Sequence, residues 1–347
     1  MYHGAGYRCE GFMTTTVGYD IGGAHLKVAA VEDGRLVLVR QIACPLWQGP
    51  ERLDAAFDEA AGLTGAAAIH SVTMTAELTE IFESRQAGVV AILQKARERL
   101  HGDIRVFLGL KGFGSVEAAN ADPLSVASAN FLASARLIAN RRPKLLLIDM
   151  GSTTTDIVAC DRPQGLTDAE RLQTGELVYT GLTRTPVASV ATRALLAGEW
   201  QGLARDAFAT MADVRRIIGD LSGDVDIHAT TDGRGKSIAE SLARFARGFG
   251  RDADMRHLAT WQAAAAYVRE RQLRTLHDGA LQVLSRPGLD VTSIVAAGIG
   301  AADAEAIAAR LGRPCVTFGA LIDAPAEHRV WATRCAPAVA VALLQEK

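Results

Sequence analysis

The sequence predicts an α/β protein made of two related domains that face one cleft. One observation is a strand ending in Asp20-Ile-Gly22, with Lys27 seven positions after the aspartate. A second is its echo about 130 residues later, where Asp149-Met-Gly151 is followed by Asp156 at the same offset. Both segments read as strand, turn, strand. The third is size: 347 residues, 49% hydrophobic and 22% charged, form an ordinary globular composition with room for two medium domains. The expected division is a disordered extension over 1–13, a first domain over 14–143 and a second over 144–347. The second carries a helical insertion at about 186–285, and the chain's end is able to pack back on the first domain.

Residues 17–31 (VGYDIGGAHLKVAAV) read as strand, glycine turn and strand, and Asp33-Gly34 supplies a hairpin turn into the strand RLVLVRQI. Leu53, Ala56, Phe57 and Ala60 fall on one helical face over 51–62. A buried strand is expected at 67–74, a helix over Gln86 to Leu100 and a strand at 104–110. Asp122-Pro123 reads as a cap and first-turn proline opening a helix. The second half begins with LLLIDMGSTTTDIVAC at 145–160, an apolar strand broken by a polar turn. Strands are expected over 170–180, a helix from Pro186 to near Gly198 and a long helix from Met255 to about Ser285. Residues 292–312 read as strand, glycine turn and helix; CVTFGAL and a closing helix, PAVAVALLQE, follow.

Composition removes several function classes. With 37 Lys and Arg against 39 Asp and Glu, and no basic run, nothing attracts nucleic acid or an anionic membrane. No apolar stretch reaches the ~20 residues that cross a bilayer. The five cysteines are odd in number and form no Cys-x-x-Cys pair, which fits free thiols in a reducing cytoplasm. Residues 1–12 contain no apolar core and so are no secretory signal, and Met13 is an alternative start. No histidines stand at metal-ligand spacing, and Ser152 lacks the Gly-x-Ser-x-Gly elbow of a serine hydrolase. His70, in an apolar strand, reads as a core histidine, and the four isolated tryptophans as buried or half-buried.

The two glycine turns carry the chemistry. Without a Cβ, Gly22, Gly23 and Gly151 let the backbone turn tightly and present N–H groups to a phosphate. Ser152, Thr153, Thr154 and Thr155 add hydroxyl donors. Asp20, Asp149 and Asp156 are hard oxygen ligands suited to Mg²⁺, directly or through water. Lys27 is a point charge for a terminal phosphate. A third turn, with Gly298 and Gly300 in AAGIG, opens a helix whose N-terminus suits an anion or nucleotide. The competing reading is a pair of polar hairpins whose hydroxyls satisfy their own backbone.

Asp-x-Gly-Gly, then Asp-x-Gly-Ser-Thr-Thr-Thr-Asp, then Ala-Ala-Gly-x-Gly resembles the two phosphate loops and adenosine motif of the actin, sugar-kinase and heat-shock-chaperone superfamily. The resemblance spans about residues 15 to 345. It implies two ribonuclease-H-like domains with mixed five-stranded sheets around a central cleft. Four further blocks, TMTAELTEIFESRQAGV, IDMGSTTTDIV, TGELVYTGLTRTPV and ATTDGRGKSIAESLARFARGFGRD, resemble the hydantoinase/oxoprolinase-like branch. Within it they are similar to the MfnF-like family of methanofuran biosynthesis, linked to tetrahydromethanopterin-dependent one-carbon metabolism. That resemblance implies a transferase joining a furanylmethyl diphosphate to the phenol oxygen of tyrosine or a tyramine derivative, with release of diphosphate. In the family's first loop a small amide stands where this chain has His25, which can still donate to a phosphate.

Such chemistry needs a stabilised leaving diphosphate. The resemblance places Mg²⁺ on Asp20, Asp149 and Asp156, beside Lys27. A phenol with a reference pKa near 10 benefits from a general base. Glu77 is the first choice, then Glu176 and Asp232, each equally readable as a surface or capping carboxylate. Thr75 and Thr180 orient substrate or serve structure. Arg184 either clamps an anion bidentately or is solvated. The loop Asp232 to Lys236 closes over an anionic substrate or is simply exposed. The superfamily alone also allows an ATP-dependent small-molecule kinase, a hydantoinase/oxoprolinase-like ATPase or a non-enzymatic nucleotide-binding protein. The expected partners are small-molecule diphosphate and phenolic substrates, and a homo-oligomer is allowed.

Overall fold

A computed structural model describes residues 15–65 and 67–345. The expected extension over 1–13 lies outside the described residues. In the first lobe, strands β1 (Thr15–Ile21), β2 (His25–Glu32), β3 (Arg35–Ala43), β4 (Ile69–Met74), β5 (Asp103–Phe107) and β6 (Phe113–Gly114) form one sheet in the order β3-β2-β1-β4-β5-β6. In the second, β7 (Leu145–Met150), β8 (Thr155–Ala159) and β9 (Leu177–Val178) are followed by a separate hairpin, β10 (Arg193–Leu196) and β11 (Glu199–Gly202). The lobe's sheet is completed by β12 (Ser293–Ala297) and β13 (Cys315–Thr317), in the order β13-β12-β7-β8-β9.

The two sheets share one plan. An antiparallel meander runs outward from the central strand, β1-β2-β3 or β7-β8-β9. Parallel strands extend the other side, β4-β5 or β12-β13. The second sheet has the five strands expected; the first gains the two-residue β6, antiparallel to β5. The offset of seven now has a geometric meaning. Asp20 lies directly across from Lys27, and Asp149 directly across from Asp156.

The central strands are apolar because both faces are covered: every residue of β7 is buried, and every residue of β1 after Thr15. Helix Ala336–Gln345 lies on β1, β2 and β4, so the end of the chain packs on the first lobe. Helix Asn130–Arg141 crosses against it and touches β7 and β8. Together these two helices fill the space between the lobes with a shared core that includes Phe131, Leu137, Val339 and Val341. Among the described residues no helix is long and apolar enough to cross a membrane.

Four local expectations fail for identifiable reasons. Asp122-Pro123 opens only the short turn Pro123–Ser125; the Asp122 carboxylate is taken by Lys111, and the main helix starts at Asn130 after Ser128 adopts φ +51°. Residues 168–174 form a helix rather than a strand, because Thr167 and Glu170 make a reciprocal capping box. The helix expected from Pro186 to Gly198 is one turn, Val187–Val190, followed by the β10–β11 hairpin. Ala197 and Gly198 both take positive φ there, as a two-residue hairpin turn demands, and Ala194 and Leu196 alternate inward. Strand β5 stops at Phe107, short of 110.

The insertion is otherwise helical, with Met211–Ile218, Ile238–Arg247 and the long Leu258–Leu284. It has its own apolar core around Val214, Leu242, Phe245 and Trp261. Buried ion pairs pin it: Arg244 to Asp213 at 2.8 Å, and Arg215 to Asp303.

Candidate active site

The β1–β2 and β7–β8 turns open into the same cleft, a cavity of about 270 Å³ between the lobes. Each turn closes in the same way: Gly22 N–H donates to the His25 carbonyl and Gly151 N–H to the Thr154 carbonyl, both at 2.9 Å. The carbonyls that point away from the cleft are occupied. Cys44 and Leu46 N–H groups take those of Ala24 and Gly23, while Leu182 and Arg184 take those of Gly151 and Ser152. The N–H groups of Gly23, Ala24, Ser152, Thr153 and Thr154 have no acceptor among the described residues, and all five residues line the cleft. Unpaired backbone donors clustered on a concave surface are an arrangement able to hold an anion, here called a nest. The alternative of self-satisfied polar hairpins therefore does not describe these turns.

The charged residues beside the nest are ordered by the strands. Lys27 Nζ donates to Asp20 Oδ2 at 3.1 Å, and Asn130 Nδ2 to Asp20 Oδ1 at 3.3 Å. Burial works against the Lys27 charge, but Asp20 and Asp149 outweigh it and raise its pKa above the ordinary lysine value. On the other hairpin Asp156 is ion-paired with the buried Arg171, whose guanidinium lies 3.5 Å over the Phe131 ring. Asp149 is 7% exposed, and among the described residues no hydrogen bond or ion pair reaches its carboxylate. Burial pushes its pKa up to about 7; Lys27 opposes this, and Asp156 and Asp20 add to it.

These placements revise the expected metal set of Asp20, Asp149 and Asp156. Among the described residues no three His, Cys, Asp or Glu side chains gather closely enough to hold an ion. Asp156 is committed to Arg171. Asp149, buried and unpaired, with Asp20 beside it, does fit Mg²⁺, which is usually held by one or two carboxylates, water and substrate phosphate.

Thr75, Arg184, His25, Lys27, Ser152, Thr153 and Thr154 all line the cleft with the three aspartates. Arg184 Nη1 donates to Thr153 Oγ1 at 3.4 Å, and its guanidinium lies 4.5 Å from the centre of the Trp47 ring. It is therefore docked on the nest rather than solvated.

Other expected site residues lie elsewhere. Glu77 is fully buried behind the cleft, where its Oε1 accepts from Arg85 and Ser128, each at 3.0 Å; burial raises its pKa, against the pull of Arg85. Arg85 and Ser128 also reach Asp168 of the second lobe, at 3.2 and 3.0 Å, so Glu77 sits in a bridge between the lobes. Glu176 is a structural carboxylate, accepting from the N–H groups of Gln164 and Gly165 and from Thr174 and Arg286. Asp232 is outside the cleft, paired with Arg244 at 3.0 Å. The loop around it caps helix Ile238–Arg247. Thr180 is buried, accepting from Gln272 at 2.8 Å. Gly298 and Gly300 face β7 rather than the cleft: a Cβ would meet the Met150 carbonyl oxygen at 2.2 Å in the first case and the Met150 sulfur at 2.5 Å in the second. That turn is glycine-rich because it packs tightly on β7.

Several cleft residues carry no signal the sequence reading used. Asn130, Ser128 and Asp168 reach the site only through helix and loop placement. Arg171 was recoverable from the Thr167-x-x-Glu170 capping box, which puts it on a helix. Trp47, expected as buried or half-buried, is half-buried and lines the cleft, with Tyr179 and Glu80. His70 is a core histidine, 3.1 Å from the Tyr19 hydroxyl.

The model of the hydantoinase/oxoprolinase family matches residues 68–346. A (4-{4-[2-(gamma-L-glutamylamino)ethyl]phenoxymethyl}furan-2-yl)methanamine synthase of Methanocaldococcus jannaschii is 31% identical over 243 residues, 69% of this chain and 72% of that protein. The synthase of the same name from Methanococcus vannielii is 30% identical over 106 residues, covering 29% of this chain and 47% of that protein. Among solved structures, a nucleotide-free acetone carboxylase superposes with a TM-score of 0.52 at 11% identity, over 84% of this chain and 66% of that one, a likeness of fold alone. The two-lobed architecture, the cleft between its paired turns and these matches agree: the chain belongs to the hydantoinase/oxoprolinase family, on the branch of the furan-2-yl methanamine synthases.

Proposed function

We propose that the chain is an ether-forming transferase of methanofuran-type cofactor biosynthesis. It joins a furanylmethyl diphosphate to the phenol oxygen of tyrosine or a tyramine derivative and releases diphosphate. The observation that carries this reading is the double nest: five unpaired N–H groups from two turns, with Lys27 and Arg184 beside them. The relatives' name describes a phenoxymethylfuran, a phenol oxygen joined through one carbon to a furan.

In this reaction the bond from the furanylmethyl carbon to the diphosphate oxygen breaks and its electron pair leaves with diphosphate. The carbon's positive charge spreads into the furan while negative charge accumulates on the departing group. Donors already aimed at that charge stabilise it without reorganising, and removing one such donor typically costs about 10²–10³ in rate. Lys27 holds a terminal oxygen, the Ser152–Thr154 turn and the Gly23–Ala24 turn hold others, and Arg184 closes the far side. Asp149, with Asp20, would hold Mg²⁺, which when bound neutralises diphosphate charge. Trp47, Leu78 and Tyr179 offer apolar surface for the furan and phenol rings. The phenol oxygen forms the new bond to carbon and gives up its proton.

The test is incubation of the protein and Mg²⁺ with a furanylmethyl diphosphate and either tyrosine or a tyramine derivative, followed by assays for free diphosphate and the ether. Stoichiometric formation of both supports the proposal. Folded protein that yields neither, or that consumes ATP to act on the phenol, sinks it.

A further inference from the structure

Half of the nest is supported from outside the cleft. The Ser152–Thr154 turn rests on the segment Thr180–Arg184, which follows β9. Leu182 and Arg184 N–H groups donate at 2.9 Å to the Gly151 and Ser152 carbonyls. Gly181 packs so closely on Ser152 and Thr153 that no Cβ fits between them. Where this segment sits therefore decides where the free N–H groups of the turn point.

From its far side the segment is held by a buried amide. Gln272, on helix Leu258–Leu284, is 1% exposed and does not line the cleft. Its Nε2 donates to the Gly181 carbonyl at 2.7 Å and to the Thr180 hydroxyl at 2.8 Å. Its Oε1 accepts from Arg215 Nη2 at 2.9 Å. The amide fits only one way round, because arginine can only donate and a carbonyl can only accept. Arg215 is fixed in turn: it is buried, ion-paired with Asp303 of helix Ala301–Arg310 and with Asp220 at 3.0 Å. The Thr180 carbonyl is tied to β8 by the Thr155 hydroxyl at 2.7 Å. The Gly181 carbonyl has a weaker contact inside the segment, from Thr185 at 3.3 Å, and among the described residues Gln272 alone reaches it from outside.

We propose that Gln272 is a positioning residue for the leaving group, setting the Ser152–Thr154 donors through Gly181 while touching no substrate itself. Its effect on rate rests on the ether-forming reading of the cleft; its effect on anion binding rests on the nest alone. Hydrogen bonds and close packing run from helix Met211–Ile218 through Arg215, Gln272 and Gly181 to the turn, which gives the helical insertion a task in the reaction. Without the amide, the Gly181 carbonyl is left short of a donor in a buried place, and the segment shifts to find one. Donors preorganised for a departing anion lose their effect when they drift.

The experiment measures the binding of inorganic pyrophosphate with Mg²⁺ by calorimetry, the rate of diphosphate release and the thermal stability of the full chain. It compares wild type with Gln272→Met and Gln272→Glu. Methionine fills the same volume without hydrogen bonds. Glutamate keeps an oxygen for Arg215 but turns a second one, which cannot donate, toward the Gly181 carbonyl. Arg244→Ala is the control, a destabilised insertion with no link to Gly181. A neutral hydrogen bond corresponds to about tenfold in an equilibrium constant, which sets the expected size. Both Gln272 variants should bind pyrophosphate about 10-fold more weakly and show kcat lower by about 10-fold or more, with KM for the phenol unchanged. Arg244→Ala should keep the wild-type affinity. Folded Gln272 variants that bind pyrophosphate as the wild type does, or a control that loses as much affinity as they do, overturn the proposal. If Gln272→Met folds poorly, Gln272→Glu, with its contact to Arg215 retained, decides the matter. A wild type that binds pyrophosphate but makes no ether overturns the reading of function, while the affinity comparison still decides the role of Gln272. A wild type that binds no pyrophosphate overturns both.

Discussion

Replacing Gly181 by alanine tests whether the segment after β9 braces the anion nest. Gly181 lies against the Gly151–Thr154 turn, and a Cβ there would sit 2.5 Å from the Ser152 carbonyl carbon and from the Thr153 nitrogen. Ordinary van der Waals contact begins near ~3.5 Å, so the turn or the brace must move by about 1 Å. Both partners are backbone, and hydrogen bonds at 2.9 Å from Leu182 and Arg184 to the same turn resist the shift. Overpacking of this kind costs about 1–3 kcal/mol. The larger effect falls on the reaction, since misplacing catalytic donors by 1 Å costs about 10²-fold in rate. The control is Gly62→Ala, the same added methyl at an exposed position of helix Glu51–Thr64, with nothing within 4 Å. It should gain up to about 1 kcal/mol and leave the rate alone. Thermal melting and initial rates of diphosphate release on the two variants decide the matter. A Gly181→Ala protein that melts and turns over like Gly62→Ala would refute the bracing and the close approach on which it rests.

Three further outcomes are expected. Lys27→Gln leaves the 2%-exposed Asp20 without its cation and removes a leaving-group contact. Stability should fall by about 3 kcal/mol or more, and kcat by about 10²–10³-fold; adding Asp20→Asn should restore the melting temperature but not the rate. Arg244→Ala removes one of two arginines from the buried Asp213 in the insertion, which keeps Arg216 at 2.8 Å and the Thr210 N–H at 3.0 Å, and should cost about 1.5–3 kcal/mol in denaturant titrations while the folded fraction keeps its kcat. For Glu176, burial is outweighed by Arg286 and two backbone N–H groups, so its pKa lies below the ordinary value. Its stabilisation is complete above the unfolded-state pKa of about 4.3 and is lost as pH falls through the lower folded value. Glu176→Gln should therefore be less stable than wild type at pH 7, the two should converge in acid, and the active fraction should keep its kcat.

The two glycine turns were legible because their signals are local. An aspartate near a strand end, a glycine and a hydroxylated run state both the turn and its donors within eight residues. The offset of seven marked the repeat, and the structure shows it as cross-strand register, Asp20 opposite Lys27 and Asp149 opposite Asp156. The helix over 168–174 has a local signal in its capping box, but the β-branched and apolar residues beside it favour strands and mask that signal. Glu77, Glu176 and Asp232 misled for one reason: a carboxylate in a polar block looks the same whether it faces a cleft or an arginine. Arg85, Arg286 and Arg244 lie 8, 110 and 12 residues away from them, and only folding shows the pairing.

The sequence by itself determined the two-domain α/β plan, the strand that delivers each aspartate and the glycine turn that follows it. Strand periodicity and turn chemistry act over a few residues, so they survive without tertiary context. Tertiary structure decided what those residues face. It committed Asp156 to Arg171, left Asp149 unpaired, and turned Gly298 and Gly300 onto Met150. It also brought His228, from the other half of the chain, against His25 and Trp47. Burial and charge pairing depend on which distant segments meet, and that information is carried by packing between the lobes rather than by any short stretch of sequence.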